Sequence, residues 1–196
     1  LPSDTRQRLL EAAFQRLYDD GFRNVAIDQI LADVGISKTA FYKHFESKDD
    51  LLLAALEHYQ RHLEDEFRTL VRLRGGDSPS GQLWALFDAV QNITDSERFH
   101  GCVFVNVAIE YPLPHEPAHV IAVKSKASIQ RIVEDLARQA GAPNPLALAE
   151  ELCLLMEGAY VTRHVSSNPQ TIAIARRLAE RTIAAHLGAN GNGVVG

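Results

Sequence analysis

The sequence predicts an all-α protein on three observations. Apolar residues recur with helical spacing in almost every segment, none alternates over a useful length, and glycine or proline punctuates the segment ends. The expected architecture is an N-terminal three-helix domain with a helix-turn-helix over residues 1–48, then a larger helical domain over 49–188 and a loose Gly-rich tail over 189–196. About nine helices are expected in all.

The first helix should run from Asp4 to Asp20, with Leu9, Leu10, Ala13, Phe14 and Leu17 on its apolar face and Gly21 as a left-handed stop. Two short helices follow, Ile27 to Val34 and Lys38 to His44. Between them Gly35 can take positive φ, Ile36 can point inward and Ser37 can cap the next helix. Ser47 and Asp50 stand in capping-box spacing, and Leu52, Leu56, Tyr59, Leu63, Phe67 and Leu70 carry a fourth helix to about Leu73. Residues 74–79 break the chain, with Pro79 suited to a first helical position. Leu83, Leu86, Phe87, Val90 and Ile93 mark a fifth helix. A shorter apolar section spans Phe99 to Glu110. Prolines 112, 114 and 117 interrupt it, and another helix should run from Glu116 to Ala140. Asn144-Pro145 and Asn168-Pro169 read as a cap followed by a first-turn proline, opening helices over 145–165 and 169–187.

Only two cysteines, Cys102 and Cys153, are present, which argues against a disulfide scaffold and for a reducing compartment. No apolar run approaches the length of a membrane span, and the first residues have neither signal-peptide nor transit-peptide character. A cytoplasmic protein without membrane partners is expected. The net charge of -5 alone argues against a nucleic-acid partner. Its distribution reverses that inference. Residues 1–48 hold seven Lys and Arg and seven acids, which leaves 13 of the 20 basic and 18 of the 25 acidic residues for the remainder. Between Ser37 and Lys48 three lysines face Glu46 alone, so a small basic face on an acidic body is expected.

Thr5-Arg6, Ala12-Ala13, Gly21-Phe22, Ile27, Ile30 and the run Gly35-Ile36-Ser37-Lys38, then Phe41 through Leu51 (FYKHFESKDDL), resemble the N-terminal domain of TetR-family regulators. The resemblance covers residues 5 to about 52. It implies a transcriptional regulator, in most cases a repressor, that binds a palindromic operator in double-stranded DNA as a homodimer and is released by a small-molecule effector. The candidate DNA-contacting residues are Ser37, Lys38, Thr39, Ala40, Tyr42, Lys43, His44 and Lys48. Lys38, Thr39 and Ala40 lead the second helix of the motif, where side chains lie nearest base edges. The resemblance assigns Tyr42, His44 and Lys48 to the DNA backbone, and Phe41 and Phe45 are packing residues. Three positions depart from the family pattern. Ala26 stands where a hydroxyl usually precedes the second helix, and Leu31 and Val34 replace alanines.

For the larger domain the resemblance implies dimerisation and ligand sensing. Leu148, Leu152 and Leu155, with Ile172, Leu178 and Ile183, are the candidate dimer residues on the last two helices. Trp84, Phe87, Phe99, Phe104, Met156 and Tyr160 are candidates to line an apolar pocket, with Asn106, Glu110, Tyr111 and His164 as polar groups. The residues also leave alternatives open. His58 and His62, and the group His100, Cys102, Glu110, His115, Glu116 and His119, offer metal-ligand types without a recognised spacing. Redox sensing by the two cysteines, and a helical interaction protein, are further alternatives. No nucleophile elbow, zinc-protease pair or dinucleotide fingerprint occurs, so neither an enzyme nor a cofactor is expected.

Overall fold

The computed structural model describes residues 2–96 and 99–188, and among these every regular element is a helix. The expected tail over 189–196 lies outside the described residues. The helices are α1 (Pro2–Asp20), α2 (Ile27–Val34), α3 (Lys38–Phe41), α4 (Lys48–Gly75), α5 (Pro79–Trp84), α6 (Leu86–Thr94), α7 (Val103–Glu110), α8 (Pro117–Gln139), α9 (Pro145–Ser166) and α10 (Thr171–Leu187). Only Ala85 separates α5 from α6, where the sequence predicts one helix. Counting that pair once restores the expected nine.

The chain forms two compact units, each discontinuous in sequence. The first holds residues 1–63 and 103–125, so the helix-turn-helix shares a unit with α7 and the start of α8. Leu9, Leu10, Ala13 and Leu17 of α1 are buried with Ile30, Leu31 and Val34 of α2, Phe41 of α3, and Leu51, Leu52, Ala55 and Leu56 of α4. Gly21 ends α1 at φ +82, its N–H bonded to the Leu17 carbonyl at 3.0 Å. The left-handed conformation is what favours glycine there, and a Cβ would also lie 2.9 Å from Oε1 at the end of the Glu110 side chain. The Glu110 carboxylate accepts from the Phe22 N–H at 3.2 Å and the Arg23 N–H at 3.1 Å. Tyr111 meets Phe22 edge-on and lies beneath the Arg23 guanidinium, 4.6 Å from its ring centroid.

The second unit holds residues 64–102 and 126–196. Its core joins Phe67 and Val71 of α4, Leu83, Leu86, Phe87 and Val90 of α5 and α6, Ile132 and Val133 of α8, and Leu148, Leu152 and Met156 of α9 with Ile172 and Ile183 of α10. Asn144 caps α9 as expected, its Oδ1 accepting from Ala147 N–H at 3.3 Å with Pro145 next. Asn168-Pro169 behaves differently. Asn168 Oδ1 accepts from Gln170 N–H at 2.9 Å, closing a turn that holds Pro169 outside the helix, so α10 begins two residues later than expected.

Candidate nucleic-acid interface

Residues 26–48 build the candidate interface from four consecutive helix ends, at Ala26, Gly35, Ser37 and Ser47. At Ala26 the chain is extended, and Gln29 Oε1 accepts the Ala26 N–H at 3.3 Å. That is one half of a capping box, because the alanine methyl cannot return the bond. Gly35 ends α2 in the left-handed region at φ +73, with its own N–H and that of Ile36 both bonded to the Leu31 carbonyl, at 2.9 and 3.1 Å. Ser37 Oγ then accepts from Ala40 N–H at 3.2 Å and starts α3. At α4, Ser47 Oγ accepts from Asp50 N–H at 3.0 Å while Asp50 accepts from Glu46 N–H, also at 3.0 Å.

α3 stops at Phe41, three residues short of the expected His44. The reason is local. His44 N–H bonds to the Phe41 carbonyl at 2.8 Å and Lys43 N–H to that of Ala40 at 3.3 Å, a tightened turn that keeps Phe41 and Phe45 both buried, ring centroids 6.0 Å apart. The outer face of this turn is open. Ser37, Lys38, Thr39, Tyr42 and Lys43 are exposed, and Ala40, His44 and Lys48 are half-buried. Tyr42 is 59% exposed although aromatic, its ring resting edge-on against Phe41. Lys38 lies 3.8 Å from Asp28, a loose surface pair worth little. Lys48 Nζ donates to the Val25 carbonyl at 3.1 Å, which uses one of its three protons and none of its charge.

Arginines of α1, which the sequence reading did not single out, hold this motif. Arg16 donates from Nε and Nη2 to Asp33 of α2, at 2.7 and 2.9 Å. That contact holds the Asp33 carboxyl below its ordinary range and the Arg16 guanidinium above its own. Arg8 donates to the Val34 carbonyl, and Arg6 sits 5.0 Å over the Phe45 ring. Their spacing along α1 is an i, i+8 and i, i+10 pattern with no charge run to mark it.

The other candidates scatter. Leu148, Leu152, Ile172 and Ile183 lie in the core of the second unit, while Leu155 is half-buried and Leu178 exposed. Those two line a shallow apolar groove of about 290 Å³ with Leu154, Gly158 and Ile174, between α9 and α10. Leu154, Val161 and Val165 are exposed, Leu154 at 72% and Val165 at 78%. The spacing of Leu154, Gly158, Val161 and Val165 would have found this second stripe. α9 is apolar on both sides, a mark of a helix with two faces to cover.

Of the pocket candidates, Phe87 and Met156 fill the core of the second unit, and Tyr160 packs against it. Phe99 stands 6.1 Å from the Tyr160 ring and 6.3 Å from that of His164, and Trp84 is partly exposed on α5. Phe104, Asn106, Glu110 and Tyr111 belong to the first unit. There Phe104 is buried beside Tyr59, and Glu110 and Tyr111 hold the Phe22-Arg23 corner.

Among the described residues no three His, Cys, Asp or Glu side chains are gathered to hold a metal ion, and no helix is long and apolar enough to cross a membrane. His58 and His62 do meet, ring centroids 4.1 Å apart. Burial and the neighbouring His62 push the His58 imidazole below its ordinary pKa, which fits its Nε2 accepting from the Gln7 amide at 3.0 Å.

Residues 9–55 match the family model described as bacterial regulatory proteins, tetR family, and residues 79–179 match the one described as tetracyclin repressor-like, C-terminal domain. The HTH-type transcriptional regulator YjdC of Escherichia coli K12 is 23% identical over 175 residues, 89% of this chain and 91% of the relative. The HTH-type transcriptional activator FasR of Mycolicibacterium smegmatis is 27% identical over 144 residues, 72% of this chain and 63% of the relative. Among solved structures, a TetR-family transcriptional regulator from Streptomyces coelicolor is similar at TM-score 0.83 and 28% identity, over 95% of this chain and 97% of that one. The reduced form of E. coli NemR shares the fold at TM-score 0.80 and 20% identity, over 91% and 96%.

Proposed function

Because the chain belongs to the TetR family of bacterial transcriptional regulators, we propose that it represses transcription as a cytoplasmic homodimer on a palindromic operator, and that a small-molecule effector releases it. The observation that carries DNA contact is the open face of α3 and its following turn, where Lys38, Thr39, Tyr42 and Lys43 are exposed on a scaffold fixed by the Ser37 and Ser47 caps. In this reading α3 enters the major groove. Lys38 and Thr39 offer donors to base edges, Ala40 offers a methyl to thymine, and Tyr42, Lys43, His44 and Lys48 hold phosphates.

The homodimer is supported by the outer apolar stripe of α9 and α10, where Leu154, Val161, Val165, Ile174 and Leu178 face solvent in the single chain. A two-fold axis would let this patch cover itself and set two α3 helices one DNA turn, about 34–36 Å, apart. An effector that favours another spacing would lower operator affinity, with ordinary coupling of about 1–3 kcal/mol. The chain acts by binding and carries no catalysis in this reading.

Selecting bound fragments from genomic DNA gives the operator, and its retardation at rising salt is the test. Sequence-selective binding with a steep salt slope supports the reading, and binding indifferent to sequence defeats it. A reporter downstream of the operator decides repression against the activation named for FasR.

A further inference from the structure

In the second unit, the last turns of α4, the last turns of α8 and Asp77 and Gln82 between α4 and the end of α5 line a half-open cavity of about 390 Å³. Its floor is apolar, made by buried Val71 and Ile132 and half-buried Leu136. Its rim is cationic. Arg68 and Arg72 stand one turn apart on α4, with Asp77 of the following loop beside them. Asp77 Oδ1 accepts from Arg72 at 3.1 and 2.8 Å, whereas Arg68 has no hydrogen-bond or ion-pair partner among the described residues.

Arg72 is already paired with Asp77, so an anion placed between the two arginines would give Arg68 the charge-assisted hydrogen bond it lacks and share Arg72 with Asp77. An uncharged apolar ligand would cover the Arg68 guanidinium without pairing it, and a bare inorganic anion would leave the apolar floor unused. We propose that this cavity binds a small organic acid with an apolar body, its carboxylate on Arg68 and Arg72 and its body on Val71, Ile132 and Leu136. The volume lies near the lower end of the roughly 300–1,000 Å³ of small-molecule sites, which limits the ligand to a medium-chain or single-ring acid.

The inference rests on the effector reading above and names the chemical class. Both helices that line the cavity are shared with the first unit: α4 starts there at Lys48 and α8 at Pro117. An acid lodged between them touches two helices that both run into the first unit.

Titration calorimetry of the full chain with octanoate, octanol and inorganic phosphate tests the site, with circular dichroism to establish that each variant is folded. Octanoate should saturate one site per chain and bind at least tenfold more tightly than octanol or phosphate. Arg68→Gln and Arg72→Gln should each weaken octanoate at least tenfold. Asp77→Asn should tighten it severalfold, because it removes a carboxylate that competes for Arg72, and a merely structural role would not produce a gain. Octanoate affinity unchanged from the parent chain in both arginine variants, phosphate binding as tight as octanoate, or no octanoate heat at millimolar concentration overturns the proposal. Operator retention measured in parallel separates it from the effector reading. Arginine-dependent octanoate binding that leaves operator affinity unchanged upholds the site and removes that reading. A neutral compound that releases DNA from Arg68→Gln as from the parent chain, with octanoate inert, upholds the reading and removes the site.

Discussion

The Lys48 ammonium donates to the Val25 carbonyl at 3.1 Å, tying the first residue of α4 to the strand of chain that enters α2. The same group is half-buried at the edge of the open face of α3, with two protons still to give. Lys48→Ala should weaken binding by a similar factor at every operator sequence, since phosphate contacts carry little sequence information. With one such lysine in each chain of the proposed dimer, the slope of log affinity against log salt should shrink by up to about 1.8. Filter binding at four salt concentrations measures it. An unchanged slope beside a lowered melting temperature would mean that Lys48 holds Val25 and does not reach DNA.

The outer stripe of α9 and α10 gives the second prediction. Leu178 is exposed in the single chain and lines the groove with Leu154, so Leu178→Glu costs the monomer core little and places a charge at the centre of the patch. Sedimentation at micromolar concentration should find the variant monomeric with its helix content intact, and its operator affinity should fall at least tenfold. The same change at exposed Gln139 on α8 should alter neither. A Leu178→Glu protein that sediments as a dimer would move the interface elsewhere.

These two predictions differ in how far the sequence carried them. Gly21, Gly35, Ser37 and Ser47 act within a few residues of themselves, so spacing alone revealed the stops and caps they provide. Glu110 did not show itself, because its partners Phe22 and Arg23 lie 88 and 87 residues away, and a carboxylate in an apolar segment looks the same whether it meets a ligand or a backbone N–H. Leu148 and Leu154 were equally opaque. Both sit at apolar positions of α9, and only packing against α10 shows which faces inward.

Cys153 supplies a dependence on pH. Burial, reinforced by the charge of Glu157 and opposed by Lys126, pushes its thiol from an ordinary 9.0 up to about 11. The native state therefore favours the neutral thiol. Its contribution is complete below the unfolded value and is lost as pH rises through the window from 9 to about 11. Urea unfolding at pH 8 and pH 10.5 should show the parent chain losing about 1–2 kcal/mol more than Cys153→Ala over that interval. Titration of the lysines other than Lys126 affects both proteins alike and cancels in the difference. Equal losses would show that the thiol ionises freely in the folded chain.

Ala26 is the residue where this chain leaves a bond unmade. Its N–H is held by Gln29 Oε1 at 3.3 Å, while the Gln29 N–H reaches only the Ala26 carbonyl, at 3.2 Å. The backbone at Ala26 is already extended, at φ -93 and ψ 133, as an N-cap requires, and the side chain is exposed. A serine hydroxyl there needs no rearrangement to accept from Gln29 N–H and complete the reciprocal pair. Ala26→Ser should stabilise the free protein by about 0.5–2 kcal/mol, the ordinary worth of an N-cap side chain. If the hydroxyl also donates to a phosphate, operator affinity should rise at every sequence by a further factor that the cap alone cannot supply. The two contributions separate by measurement: the cap raises the unfolding midpoint without DNA, and the phosphate bond appears only in the binding constant. A raised midpoint with unchanged affinity would place Ala26 away from the DNA. No change in either would mean that the serine hydroxyl leaves the helix end for solvent.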